Sequence, residues 1–105
     1  MGEAKFTKGE WVSHDKRPYC NGFSIFAGSQ YVAFVGDSDN VTECKANANL
    51  ITAAPEMYKE IERDIDWLEM MKAKFVLGSY EYRSICLRIE SKQKLLAKAR
   101  GEHNG

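Results

Sequence analysis

The sequence predicts an α+β fold: an N-terminal antiparallel β-sheet of about three strands, packed by a small-residue helix and followed by an antiparallel pair of long helices. Three observations predict it. Residues 9–36 hold short runs of β-branched and aromatic residues separated by Gly-containing turns. Residues 40–100 carry apolar positions at helical steps of three, four and seven. Between the two lies Gly36-Asp37-Ser38-Asp39-Asn40, a cluster of turn formers.

Taken in order, Trp11-Val12 opens the first strand, Gly22–Ala27 is the second run and Gln30–Val35 the third. Gly28-Ser29 makes a short hairpin connection, since glycine supplies the positive φ of a tight reversal. Nearly every residue of Tyr31-Val32-Ala33-Phe34-Val35 is apolar, which predicts the central strand. Asn40 with Glu43 three residues on has the form of a capping box and starts a helix. Ala46, Ala48, Ala53 and Ala54 keep that helix thin enough to lie close against the sheet. Pro55 marks the first turn of a new helix or a kink. From Glu56 to Leu77, Tyr58, Ile61, Ile65, Leu68 and Phe75 form one stripe; Gly78-Ser79 stops it, and Tyr82, Ile85, Ile89 and Leu96 form a second running to about Arg100. Glu56–Glu69 has six acids and two bases, net −4, and Arg83–Arg100 has six bases and one acid, net +5. Opposite charge favours pairing of the two helices. The whole is expected to be one domain with flexible ends at 1–8 and 101–105.

Composition narrows the function classes. With 105 residues, 44% hydrophobic and 29% charged, the chain suits one ordinary soluble domain. A net charge of zero argues against a coat for nucleic acid or an acidic membrane, so neither is expected as a partner. Cys20, Cys44 and Cys86 are odd in number, far apart and without a C-x-x-C pair, which predicts reduced thiols. No basic and apolar leader follows Met1, and no apolar run approaches the ~20 residues that span a bilayer. The expected place is the cytoplasm.

The chemistry-bearing patterns are weak. Asp37-x-Asp39 with Asn40 and Glu43 begins like a calcium loop but lacks the turn glycine and bidentate glutamate at the required spacing. His14, Asp15 and Cys20 supply a base, an acid and a thiol by type only, with no helix N-terminus to activate the thiol. No catalytic residue, metal or cofactor is therefore expected, and the chain does not read as an enzyme. Binding features are better represented. Asn47 and Asn49 are two residues apart on a helix, so one amide is expected to point inward. Trp11, Tyr19, Phe23, Phe26, Tyr31 and Phe34, interleaved with Lys16 and Arg17, offer a stacking platform; Tyr19 and one of Phe23 or Tyr31 are expected on the outer sheet face. Arg83 and Arg88 lie on a basic stripe able to meet phosphate. Trp67, Met70 and Met71 lie largely off the Ile61–Phe75 stripe, more apolar surface than one facing helix covers, and predict a partner or homo-oligomer interface, dimeric or higher.

Two segments carry a family likeness: Lys5-Phe6-Thr7-Lys8-Gly9-Glu10-Trp11 and Ala46-Asn47-Ala48-Asn49-Leu50-Ile51-Thr52-Ala53-Ala54-Pro55-Glu56-Met57-Tyr58. They resemble the T-P-G-x-W start and the N-A-x-L-I-A-A-A-P-E-L-L core of small phage and prophage accessory proteins, including the Ead/Ea22-like early-region proteins. Lys8 stands where that pattern has proline and Thr52 where it has alanine. The resemblance implies a viral origin and action in a host bacterial cytoplasm. By analogy with small phage proteins that counter host defence, it points to a non-enzymatic homo-oligomer that sequesters a small nucleotide immune signal. Its site would lie between subunits, with Asn47 and Asn49 as amide contacts, Arg83 and Arg88 on phosphate, and Trp11 or Tyr31 stacking. The alternatives are an anti-CRISPR-like inhibitor that docks on a host defence nuclease or effector, and a nucleic-acid-binding module.

Overall fold

The computed structural model describes residues 4–16, 22–36 and 40–102. Five elements follow in order: β1 Trp11–Asp15, β2 Gly22–Ala27, β3 Gln30–Gly36, α1 Val41–Lys72 and α2 Tyr80–Ala99. Three strands followed by two helices give the expected α+β arrangement. The chain divides into two compact units: Phe6–Glu56, which holds the sheet and the first part of α1, and a second from Met57 onward, which holds the rest of α1 and α2.

In the first unit the strands are antiparallel in the order β1-β2-β3. The central strand is therefore β2 and not the Tyr31–Val35 run, which forms an edge. The long apolar run reads as a central strand covered on at least one face, yet Tyr31 and Phe34 are exposed, whereas Phe23, Ser24 and Ile25 of β2 are buried. Gly28 turns the β2–β3 hairpin with φ 60°. Ile25 pairs with Ala33 but Phe26 with Tyr31, which leaves Val32 as the extra residue of a bulge.

Strand alternation and register sort the side chains onto two faces. Phe23, Ile25 and Val35 share the face that packs on α1, where Phe23, Cys44, Ala48 and Val35 form the core cluster. The contact is close because α1 presents Ala48, which is fully buried, one turn after Cys44, whose thiol donates to the Val35 carbonyl at 3.2 Å. A helix this near a sheet has no room for larger side chains at those positions.

The Asn40 side chain accepts from the Glu43 N–H at 3.0 Å, so α1 starts where the capping signal lies. It then continues through Pro55 as one helix; Pro55 is buried inside it and neither begins a new helix nor divides this one. The other end departs from expectation. The helix stops at Lys72 rather than Leu77, and the Lys74 and Phe75 N–H groups bond back to the Met71 and Lys72 carbonyls in tight turns. Phe75 thus leaves the stripe it matches by spacing, because Gly78, at φ 82°, and Ser79 need a connecting segment ahead of α2. The Ser79 hydroxyl caps α2 by accepting from the Tyr82 N–H at 3.2 Å.

In the second unit Lys92 pairs with Asp64 at 3.0 Å, and the Arg100 guanidinium donates to the Tyr58 hydroxyl at 2.9 Å. One helix descends in number as the other rises, which is the antiparallel hairpin. Tyr58, Leu68, Ile89 and Leu96 are its buried residues. Other ion pairs close within single helices instead of between them: Arg63 with Glu60, Lys72 with Glu69, and Lys94 with Glu90. Such exposed pairs contribute only ~0–1 kcal/mol each, so apolar burial holds the hairpin more than charge does. At the end of α2, Glu102 N–H bonds to the Ala97 carbonyl and Gly101 N–H to that of Lys98, with Gly101 at φ 78°, a Schellman cap. Arg100 also forks onto the Glu102 carboxylate and holds it below the usual carboxylate range.

Candidate functional site

Exposed apolar groups gather on three surfaces, with Val41, Leu50 and Met57 exposed besides. The first is the sheet face turned away from α1. Register places Val12 beside Phe26 and Tyr31, and His14 beside Ser24 and Phe34. Phe26 meets His14 and Tyr31 edge to face, each pair with ring centroids 5.6 Å apart, and the Lys16 ammonium lies 5.9 Å from the Phe26 centroid. A cation at that distance is held by the ring's quadrupole. Phe34 lies across Gly22, which has no side chain to keep it away.

The second surface lies on α1. Trp67 is 52% exposed and Met70 62%, both on the side of the helix opposite Tyr58 and Leu68; Met71 is half-buried at the flank. Beside Trp67 a shallow depression of about 410 Å³ is lined by Glu60, Ile61, Arg63, Asp64 and Trp67. The third surface is on α2, where Tyr80, Leu87 and Leu95 are exposed. Between α1 and α2, Val76 and Leu77 are also exposed.

The structure distributes the residues expected to bind a ligand. Trp11 and Tyr31 occupy opposite faces of the sheet. Trp11 is half-buried, donates its indole N–H to the Thr7 carbonyl at 3.0 Å and meets Phe6 edge to face, while Tyr31 is exposed. Asn47 and Asn49 are both exposed, so neither amide points inward; Ala48 between them takes the buried position. The helical period explains this, since Cys44 and Ala48 at i and i+4 define the sheet-facing line. Arg83 and Arg88 are exposed on α2 and leave it about 140° apart, too far around the helix to converge on one phosphate. Phe23 faces the core and Tyr31 the solvent, which resolves that pair of alternatives. Arg17, Tyr19, Cys20 and the Asp37-x-Asp39 pattern lie outside the described residues. Phe26, Phe34 and His14 were hidden on the outer sheet face because their placement depends on register, which the sequence does not state.

Cys44 and Cys86 are free thiols, the first buried and the second half-buried. Among the described residues no three His, Cys, Asp or Glu side chains are grouped to hold a metal ion, and no helix is long and apolar enough to cross a membrane.

Residues 1–103 match the model of a protein family described as Salmonella phage P22 protein Y8K6. No curated protein matches the chain, and no solved structure does.

Proposed function

The chain belongs to that Salmonella phage P22 protein Y8K6 family, and from this premise we propose that it is a non-enzymatic accessory protein of the early-region kind, acting in the host bacterial cytoplasm by docking on a host defence protein. The observation that carries the reading is the exposure of Trp67 and Met70 on the outward side of α1. A tryptophan more than half exposed beside a methionine is the kind of anchor that supplies most of the energy of a protein interface. Its surroundings favour one partner class. Glu56–Glu69 has net charge −4; Glu60 and Asp64 line the depression next to Trp67 together with Arg63, but Glu60 pairs with Arg63 and Asp64 with Lys92, so the acidic surplus is carried by the rest of the segment. That combination fits a basic protein surface, such as the nucleic-acid channel of a nuclease or other effector, and would block it by occupying the place of phosphates.

The test is capture of host proteins by the full chain and by Trp67→Ala, followed by calorimetry with the purified basic protein recovered. Trp67→Ala is expected to weaken binding about thirtyfold or more, a loss of about 2 kcal/mol, while circular dichroism stays unchanged. Undiminished binding by Trp67→Ala would remove the docking reading.

The outer sheet face favours a second reading, that the protein takes up a small nucleotide signal. Phe26, Tyr31 and Phe34 present π-surface, and Lys16 and His14 supply cationic or donor groups beside it. A thermal-shift panel of cyclic and linear nucleotides is expected to give one strong stabiliser, recovered intact after denaturation, whose effect is lost in Tyr31→Ala. A panel without any shift would eliminate this reading.

A further inference from the structure

The apolar pattern of α2 is doubled. At about 100° per residue, Tyr80, Ser84, Leu87, Ser91 and Leu95 fall within about 80° of one another. The buried Ile89 and Leu96 lie on the opposite side of the same helix. One side belongs to the hairpin's own interior, yet the other carries Tyr80, Leu87 and Leu95, each more than half exposed, with serines between them. Helices apolar on two opposite sides are covered on both.

We propose that this second side docks against α2 of a second copy of the chain, antiparallel, about a two-fold axis beside Leu87. Shape, charge and direction agree on that occupant. A depression on α2 is lined by Ser84, Leu87, Arg88, Ser91 and Lys92. The first four stand at i, i+3, i+4 and i+7, the spacing of a hole that receives one knob from a facing helix. The antiparallel two-fold sets the partner's Leu87 over that hole. It also sets Tyr80 opposite the partner's Leu95 and Ser84 opposite the partner's Ser91, so large residues meet at the ends and at the axis, with small ones between.

Charge selects the direction. Arg83 and Glu90 lie on one flank of the stripe, seven residues apart. Antiparallel helices place Arg83 against the partner's Glu90 and, by symmetry, Glu90 against the partner's Arg83. Parallel helices would instead bring Arg83 to the partner's Arg88. Part of the basic excess of α2 is turned elsewhere, Lys92 to Asp64 and Arg100 to Glu102, while Lys94 pairs with Glu90 on the same flank as Arg83. Two like-charge approaches remain, Arg88 to the partner's Arg88 near the axis and Lys94 to the partner's Arg83 beside Glu90. With a stripe only about 22 Å long, these keep the association weak and concentration-dependent.

Sedimentation of the full chain from micromolar to millimolar concentration tests the assignment. The wild type is expected to move from monomer toward dimer mass, and Leu87→Lys to remain monomeric with its helical signal intact. Arg83→Glu and Glu90→Arg should each weaken the dimer about tenfold. The double variant should recover it, and an equimolar mixture of the two single variants should associate more tightly than either alone. Trp67→Ala should leave the dimer unchanged, which separates this surface from the one proposed to dock on a host protein. A wild type that stays monomeric throughout overturns the proposal, as does a dimer that survives Leu87→Lys. Folded single variants that neither lose affinity nor regain it together overturn the antiparallel pairing.

Discussion

Replacing Gly22 by alanine is expected to destabilise the sheet unit by about 2–3 kcal/mol, the upper part of the range for forcing extra volume into a packed site. A methyl group on Gly22 would stand 2.5 Å from both the Val35 carbonyl oxygen and the Cζ of Phe34, and 2.9 Å from the Gly36 Cα. The phenyl ring can swing aside, but the two backbone atoms belong to the ladder that pairs Gly22 with Gly36. Relief therefore requires opening the end of the β2–β3 pairing, next to Phe23, Val35 and the Cys44 contact. Against a typical total of about 5–15 kcal/mol for a folded domain, that loss is large. Urea unfolding checks it, with Trp11 fluorescence as the probe in a Trp67→Phe background so that the signal comes from the sheet unit. Gly28→Ala is the internal comparison. A Cβ there meets nothing within 4 Å, and only the positive φ of 60° is strained, so its cost should be nearer ~1 kcal/mol. Equal losses at the two positions would show that the close approach at Gly22 is not what holds it.

The same position shows why some of the molecule was legible in its sequence and some was not. Local signals were reliable where one residue type has one cheap use. Asn40 with Glu43 started α1, Gly28 turned the hairpin, and Gly78-Ser79 separated the helices. Long-range order was harder to read. Whether Tyr31–Val35 is central or an edge depends on which strands pair, and the apolar count of the run is the same either way. The bulge at Val32 puts two residues of β3 against one step of β2 and decides that Tyr31 joins Phe26 on the outer face. No composition or period carries that information. Helix ends were limited for a related reason: Phe75 fits the stripe by spacing, but the connection to α2 claims the residues after Lys72.

The binding surfaces divide along the same line. Trp67 and Met70 stood out because helical spacing alone puts them off the buried stripe, and α1 indeed leaves them exposed. Sites that need several elements to converge are not legible, because side-chain type and helix membership point to Asn47, Asn49, Arg83 and Arg88 but carry no information on which way each element turns. The second apolar side of α2 was present in the sequence as the spacing of Tyr80, Leu87 and Leu95. It is masked there by Tyr82, Ile85, Ile89 and Leu96, which supply a complete stripe of their own on the other side.

Ile25→Ala is expected to have the largest effect of any single truncation in the first unit, about 3–4 kcal/mol, because Ile25 is the largest side chain there that is fully removed from solvent. It sits at the middle of the central strand, between Ser13 on β1 and Ala33 on β3. Both of those neighbours are small, so neither can reach into the space left by the lost carbons, and the hydrogen-bonded ladders on both sides keep the backbone from collapsing inward. A site that cannot relax retains its cavity and loses the dispersion contacts around it, which adds to the transfer cost of the deleted groups. Ile25→Val should cost only about 1 kcal/mol, since one methyl leaves a void too small to matter as much. Leu87→Ala removes a side chain of the same size from the exposed side of α2, and in dilute solution it should shift unfolding by no more than about 0.5 kcal/mol. That contrast separates burial from residue type. Should Ile25→Ala and Leu87→Ala cost the same at low concentration, the side chain at position 25 would not be closing the sheet unit, and the assignment of β2 as the buried central strand would fail with it.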